Sequence, residues 1–245
     1  MTSVGTNRHL DLLVVINEMA RANQEPMGVR HVCLACRAGL NAAGVGVYLA
    51  GTAQPLEVVG TAGEEMAELQ VTMGEGPASE ALRQNQPVLV PDLTNGWSAQ
   101  RWPVFAPAAV AAGVAAVFVI PLTLGAIALG ALEICRDVDG PLSPDELADA
   151  LLFADTATAL LLGRSAAPAA PDGADLWGAE PERRWAVVHQ ATGMVSVQLD
   201  TDLGEAFLRL RAHAYLSGLR LSEVAADVVA RRLRFTPDTN HEKQR

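Results

Sequence analysis

Between Arg164 and Pro181 the chain loses the means to build a regular element. Pro168, Pro171 and Pro181 stand there among six alanines and several acidic residues. Proline fixes φ and removes a backbone donor, so neither a packed helix nor a central strand runs through such a segment. The chain is therefore expected to fold as two bodies: residues 9–163, a linker at 164–181, a second body at 182–235 and a polar tail at 236–245. A length of 245 residues accommodates two domains comfortably.

Charge divides at the same place. The net charge is −10. Residues 1–181 carry 8 arginines against 20 acidic residues, a balance of −12, whereas residues 182–235 carry 8 arginines against 6 acidic residues, a balance of +2. Two bodies of opposite balance suggest two tasks. A surplus of +2 is small for indiscriminate phosphate binding, so nucleic-acid binding by the second body has to rest on shape and base contacts.

In the first body, residues 9–22 place Leu12, Ile16 and Met19 on one helical face. A second helix is expected over 26–40. Val45–Ala50 and Leu56–Val59 read as a hairpin across a Gly51–Pro55 turn. A helical turn is expected at Glu64–Leu69, a turn at Gly74–Pro77, a helix over 78–84, and a strand at Val88–Val90. A loop carrying Trp97 and Trp102 follows, then a helix over 108–112. Trp102–Leu132 carries no charge and is long enough to span a bilayer. Prolines 103, 107 and 121 and glycines 113, 125 and 130 interrupt it, and Glu133 closes it. It reads instead as two buried strands, the first ended by Pro121 and the second around 128–134. Ser143-Pro144-Asp145-Glu146 has the composition of a helix start, with serine as cap, proline at the first position and acids in the first turn. That helix runs to about Leu162. Its Leu147, Leu151, Ala154, Thr158 and Leu161 follow coiled-coil spacing, which fits either packing on the sheet or a dimer seam. The fold class expected is α+β, an antiparallel sheet flanked by helices.

Three cysteines do not form a disulfide framework, and the absence of a signal-like N-terminus points to the cytoplasm. Cys33 and Cys36 have no second pair, so no metal site is expected. Two readings stay open for them: small residues on a helix face, or a redox-active or ligand-attaching thiol.

Gly74-Glu75-Gly76-Pro77, Pro87-Val88 before Pro91-Asp92-Leu93, Ile120-Pro121-Leu122 and Leu129-Gly130-Ala131-Leu132 form an ordered set that resembles the GAF sensor family over residues 9–163. The resemblance implies a dimeric sensor of a small molecule, redox state or light. No bilin-attachment or cyclic-nucleotide signature accompanies it, so the ligand is open and no cofactor is expected.

Beyond the linker three helical stripes follow. Trp185, Val188, Thr192, Val195 and Leu199 share the first. Leu203, Ala206, Phe207, Leu210 and Ala214 share the second, which Asp200 or Thr201 caps and Gly218 ends. Val224, Ala225, Val228, Val229 and Leu233 share the third, after Ser222. A bundle of about 55 residues buries too little surface to be robust alone, so dimerisation or docking is expected. Arginines 184, 209, 211, 220, 231, 232 and 234 lie outside the stripes.

Gln190-Ala191-Thr192-Gly193-Met194-Val195, Ala206-Phe207-x-x-Leu210-Arg211-x-x-Ala214 and Leu221-x-x-Val224-Ala225 together resemble the ANTAR family of RNA-binding antiterminators over residues 182–235. The resemblance implies recognition of paired short hairpin loops in nascent mRNA, and holding that fold prevents a terminator or competing structure from forming; with the dimeric sensor and the small bundle, a homodimer is expected. Many members carry lysine where this chain has Thr192. The candidate RNA-binding residues are Arg184, His189, Gln190, Thr192, Gly193, Arg211, His213, Tyr215 and Arg220, a set able to contact phosphates and stack on bases. Gly193 and Ala191 would let an RNA loop approach the helix backbone, or else serve close helix packing. Loop bases suit such a surface because their edges are accessible, unlike those of an A-form duplex. Two alternatives stand beside this reading. Three-helix modules also bind duplex DNA through helix-turn-helix geometry. A thiol reductase or redox sensor could use Cys33, Cys36 or Cys135, although no histidine–carboxylate setting, phosphate loop or metal spacing supports catalysis.

Overall fold

A computed structural model describes residues 3–51, 55–165 and 183–236, with side chains described from 7, up to 163 and again from 185. Most of the linker at 164–181, the turn at 52–54 and nearly all of the tail lie outside the described residues. The chain divides into two compact units, the second made of the residues from Pro181 onward together with Val71–Met73.

The first unit contains α1 (Ser3–Ala22), α2 (Val29–Gly39), β1 (Gly44–Leu49), β2 (Pro55–Val59), α3 (Thr61–Met73), α4 (Pro77–Gln84), β3 (Val88–Val90), α5 (Gly96–Arg101), α6 (Phe105–Ala111), β4 (Ala116–Leu124), β5 (Ile127–Arg136) and α7 (Pro144–Ser165). The five strands form one sheet in the order β2-β1-β5-β4-β3, every pair antiparallel. Strand side chains alternate between faces. Val45 and Val47 of β1, Phe118 and Ile120 of β4, and Leu132 and Ile134 of β5 point into one core with α1, α2 and α7, whose Ile16, Val32, Cys36, Phe153 and Ala157 are fully buried against them. The uncharged stretch is thus α6, β4 and β5 rather than a membrane span, and among the described residues no helix is long and apolar enough to cross a bilayer.

Several local readings change. Pro121 does not end its strand: β4 continues to Leu124, with Pro121 opposite Ala131. β3 pairs only with Val117–Val119, so the outer edge of β4 beside Pro121 lies past the end of β3, and among the described residues no strand there requires the donor that proline lacks. The turn at Glu64–Leu69 is a full 13-residue helix, α3, closed by Gly74 in the left-handed conformation. Gly63 lies inside it as a contact: a Cβ on Gly44 would come within 2.0 Å of the Gly63 nitrogen, so the start of β1 and this helix approach backbone to backbone. The loop at Trp97 contains the short helix α5, whose N-terminus is capped by the Asn95 side chain accepting from Ser98 N–H at 2.8 Å. The second helix starts later than expected, with Gly28 rather than Pro26 at its boundary.

The start of α7 matches the sequence: Ser143 Oγ accepts from Glu146 N–H at 3.2 Å, and the Glu146 carboxylate accepts from Ser143 N–H at 2.7 Å. Its buried stripe is Ala150, Phe153, Ala154, Ala157 and Leu161, while Leu151 is exposed. Packing on the sheet therefore occupies the face that coiled-coil spacing only partly anticipated. Arg8 of α1 holds this helix through Asp145, at 2.8 Å, and Asp149.

All three cysteines are buried. Burial pushes each thiol well above its usual range, with the Glu57 carboxylate adding to the effect at Cys33. The thiolate is the reactive form, so this geometry favours the packing reading. A maleimide is expected to leave Cys33, Cys36 and Cys135 unmodified in the native chain and to label all three after denaturation, as read by intact mass. Rapid native labelling would contradict their burial.

The second unit contains α8 (Arg183–Leu199), α9 (Leu203–Ser217) and α10 (Leu221–Val229). Trp185, Val188, Ala191, Val195, Ala206, Leu210, Ala214, Leu221, Val224, Ala225 and Val228 are buried. The boundaries differ slightly from the sequence reading. Asp202, not Asp200 or Thr201, caps α9, its carboxylate accepting from Glu205 N–H at 2.9 Å. Arg220 occupies the N-cap position of α10, and Ser222 lies within that helix. Leu203, expected to face inward, is exposed.

Candidate nucleic-acid interface

The residues expected to bind RNA fall into distinct groups by their place on the three helices. His189, Gln190 and Gly193 lie on the solvent-facing side of α8, where His189 and Gln190 are exposed. A Cβ on Gly193 would meet nothing within 4 Å. Among the described residues its smallness is thus not used for helix packing, whereas Ala191, two residues earlier, is fully buried. The choice left open for this pair resolves differently at each position: Ala191 packs and Gly193 faces open space.

Thr192 requires a correction. It is buried, and its hydroxyl donates to the Val188 carbonyl at 2.8 Å. That bond within the helix consumes the group a phosphate would need, so Thr192 belongs to the packing stripe it was also read into, not to the surface. Arg184 sits in the first turn of α8, its side chain outside those described.

On α9, Arg211 and Tyr215 are one turn apart. The Arg211 guanidinium lies 5.9 Å from the Phe207 ring centroid, and Tyr215 is exposed. His213 faces another way, its ring edge-on to Phe235 with centroids 5.5 Å apart. Arg220 N–H donates to the Glu223 carboxylate at 3.0 Å, which closes the start of α10.

Sequence reasoning missed Phe235. Its N–H donates to Gln198 Oε1 at 2.8 Å, so the segment after α10 is tied back to α8. A lone aromatic at the end of an arginine-rich segment was the available signal. Phe235, Leu199, Arg209, His213 and Leu216 border an open cleft of about 510 Å³. Two of the arginines are engaged locally, Arg209 with Glu205 at 2.8 Å and Arg232 with Asp227 at 2.6 Å. Exposed pairs of this kind contribute little stability, and their acidic members are already counted in the balance of +2.

The first unit has a different interior. On the sheet face opposite the main core, Glu133 of β5 is buried beside Gly46 and Val119, its partners on β1 and β4. Its carboxylate accepts from Tyr48 OH at 3.0 Å and from Gln70 Nε2 of α3 at 2.8 Å. Gln70 Oε1 in turn accepts from Ala78 N–H at 2.7 Å, in the first turn of α4. Gly76 is required at that turn: φ is 135°, and a Cβ would lie 2.6 Å from Gln70 Cγ. Burial raises Glu133 to about 7, opposed by the bonds from Gln70 and Tyr48, and burial together with the Glu133 charge pushes the Tyr48 phenol up. Side chains thus occupy the space under α3 and α4 with a closed hydrogen-bonded set. Nearby, Glu80 is bound by Arg101 and accepts from Trp102 Nε1–H at 3.1 Å, while the Arg101 guanidinium lies 4.5 Å from the Trp97 ring centroid and 4.7 Å from that of Trp102. The Arg101 contact holds Glu80 below the usual carboxylate range. Among the described residues no group of histidine, cysteine or acidic side chains has the arrangement of a metal site.

Comparison with known families decides what these two units are. The GAF domain profile matches residues 29–161, more than half of the chain, and the ANTAR domain profile matches residues 183–229. The chain belongs to the GAF domain family and carries an ANTAR domain behind it. GAF domains are sensor domains and ANTAR domains are RNA-binding antiterminator domains, so this GAF–ANTAR protein combines two regulatory parts. Among solved structures it is similar to the GAF domain of an Acinetobacter phosphoenolpyruvate-protein phosphotransferase (10% identity, 68% of this chain and 98% of that one, TM-score 0.49). It is also similar to the second GAF domain of DevS from Mycobacterium smegmatis (21% identity, 56% and 93%, TM-score 0.40) and to a type II free methionine-R-sulfoxide reductase from Thermoplasma acidophilum (18% identity, 59% and 94%, TM-score 0.39). Comparison with curated proteins gives no match.

Proposed function

We propose that this GAF–ANTAR protein is a signal-responsive regulator that binds paired hairpin loops in nascent mRNA and, by holding them, controls transcription termination. The observation that carries this reading is the exposed side of α8 within the ANTAR match: His189 and Gln190 stand beside Gly193, whose missing side chain faces open space. An unstacked loop can approach the helix backbone there, with a ring and an amide available to stack on and read base edges. Arg211, Tyr215, Arg220 and Arg184 add phosphate and stacking contacts, whereas His213, turned to Phe235, stands apart from them. Two loops call for two copies of the module, so the regulator acts as a homodimer in the cytoplasm, and the GAF domain supplies the signal by answering to a small molecule.

Gel shifts of the full chain against a two-hairpin RNA, its loop-scrambled form and duplex DNA test this reading. Preference for the first is expected; equal binding to all three would remove it, and preference for the duplex would favour the helix-turn-helix alternative. Gly193→Leu separates recognition from folding. It is expected to weaken RNA binding by roughly tenfold, the scale of a lost base contact. The melting temperature should hold or rise, because glycine inside a helix costs about 1 kcal/mol relative to a good helix former and the new side chain meets no neighbour.

A further inference from the structure

The open cleft beside α9 is walled on one side by chain that follows the three helices. α10 ends at Val229, and so does the ANTAR match. The chain then turns back on itself. Arg232 N–H and Leu233 N–H both donate to the Asp227 carbonyl, at 2.8 and 3.1 Å, and Arg231 takes the left-handed conformation with φ 59°. A residue with a side chain adopts that conformation at a cost. The turn brings Phe235 to the C-terminal end of α8, where Gln198 holds its N–H. Its ring stands edge-on to His213, and both rings are half-buried. Edge-on packing leaves at least one of the two with neither face covered by the other.

The walls define what fits between them. The charged residues of the cleft are Asp200, Glu205 and Arg209, and the last two pair with each other at 2.8 Å. One arginine against two acids leaves a balance of −1, counting histidine as neutral, which disfavours a phosphate or any other anion here. The rings and the Arg209 guanidinium offer stacking surfaces, and the Asp200 carboxylate accepts hydrogen bonds without donating any. The matching ligand is planar, uncharged and supplied with N–H donors. At about 510 Å³ the cleft lies within the range that encloses small ligands, about 300–1,000 Å³. A nucleobase has these properties, and the cleft belongs to an RNA-binding module. It is also within reach of the Gly193 surface. Gly193 and Leu199 are about 9 Å apart along the axis of α8. Gln190, Met194 and Gln198, four residues per step, form the row that leads from that surface to the residue holding Phe235.

We propose that this cleft is a second subsite of the RNA interface. It takes one unstacked base of the hairpin loop, stacked on the Phe235 ring with its N–H groups toward Asp200, while a neighbouring part of the loop lies on α8 at Gly193. Phosphates stay outside, on the arginine-bearing surface. The subsite gives His213 a task separate from that of Arg211 and Tyr215: it braces the ring on which the base stacks. This inference rests on the hairpin-loop reading and adds to it a base contact made by a residue beyond the shared helix pattern.

An abasic scan tests it. Each loop position of the two-hairpin RNA is made abasic in turn, in both loops, and binding is measured to the full natural chain and to Phe235→Ala. One position is expected to weaken binding to the natural chain about tenfold, the scale of a lost base–aromatic stack. Phe235→Ala should lose a similar factor on the intact RNA and nothing further at that position, because ring and base form one contact. Phe235→Tyr should restore binding, and Gly193→Leu, acting elsewhere on the loop, should leave the abasic penalty in place. If amide protection in α8 shows that Phe235→Ala loosens the fold, His213→Leu is read in the same way and should show the same coupling. Full-strength binding of the intact RNA by a folded Phe235→Ala chain, or abasic penalties equal in both chains at every position, would overturn the subsite while the hairpin reading stands. Equal penalties together with a dimer that Phe235→Ala turns into a monomer, read by light scattering, would give the cleft to a second copy instead. A natural chain that binds the two-hairpin RNA no better than its loop-scrambled form would remove the hairpin reading and the subsite with it.

Discussion

Leu210→Ala is expected to unfold the ANTAR domain while leaving the GAF domain intact. Leu210 lies at the middle of α9 and is fully buried, with only the alanines Ala206 and Ala214 before and after it on the same face. Removing three carbons from such a site costs about 2–5 kcal/mol, the upper part of the range applying where neighbours cannot collapse into the gap. Flanking alanines have no side chain long enough to refill it. A single core of this size rarely supplies more than about 3–5 kcal/mol in total, so the substitution removes most or all of the stability of the module. Hydrogen exchange read by mass spectrometry on the full chain checks this directly. Amides of α8, α9 and α10 should lose protection together, those of β4 and β5 should keep it, and binding to the two-hairpin RNA should disappear. Retained protection across all three helices would mean that the bundle has reserves its own core does not provide, and dimer contacts would be the place to look for them.

The second large effect concerns pH. Glu133 has an ordinary value of 4.5 and is raised to about 7 in the folded chain, chiefly by burial. The folded state therefore holds a proton between those values that the unfolded state has released. The sign follows: below pH 4.5 the group costs nothing, the stability of the GAF domain falls as pH rises from 4.5 toward 7, and above 7 the full cost is present. The interval corresponds to about 3 kcal/mol. Glu133→Gln keeps the shape and removes the titration. Its Oε1 can accept from Gln70 and its Nε2 can donate to the Tyr48 hydroxyl, so both partners retain a bond. Protection of the β5 amides is expected to fall between pH 5 and pH 8 in the natural sequence and to stay level in Glu133→Gln, which should be the more stable of the two at pH 8. Parallel pH profiles for the two chains would show that Glu133 does not titrate in this range.

The sequence revealed the architecture more readily than the local geometry, and the reasons are physical. Apolar runs around Val117 and Ala131 identify two buried strands because burial on both faces needs nothing but apolar side chains. The extent of those strands depends on their neighbours: Pro121 reads as a stop until the shortness of β3 is known. The helical turn read at Glu64–Leu69 is part of a longer helix, and Gly63 lies inside it as the point where helix and strand backbones meet. Such a contact joins positions nineteen residues apart and leaves no periodic trace. The stretch read as a loop around Trp97 holds a short helix that Asn95 caps. In the ANTAR domain Thr192 satisfied two patterns at once, the inward stripe and the family's contact position, and the bond to Val188 shows which of them the helix uses. The polar set of Tyr48, Gln70 and Glu133 could not be read at all, because its members come from β1, α3 and β5 and only the sheet register brings them together.

The proline in β4 has a consequence for life at high concentration. An uncovered strand edge offers a ladder of donors and acceptors on which another chain can extend the sheet. β3 pairs with β4 only as far as Val119, so from Ile120 to Leu124 that edge has no strand partner among the described residues. Proline at 121 withholds a rung from that ladder. The same residue that interrupts the longest uncharged segment of the chain thus makes this border a poor template for a stranger's strand.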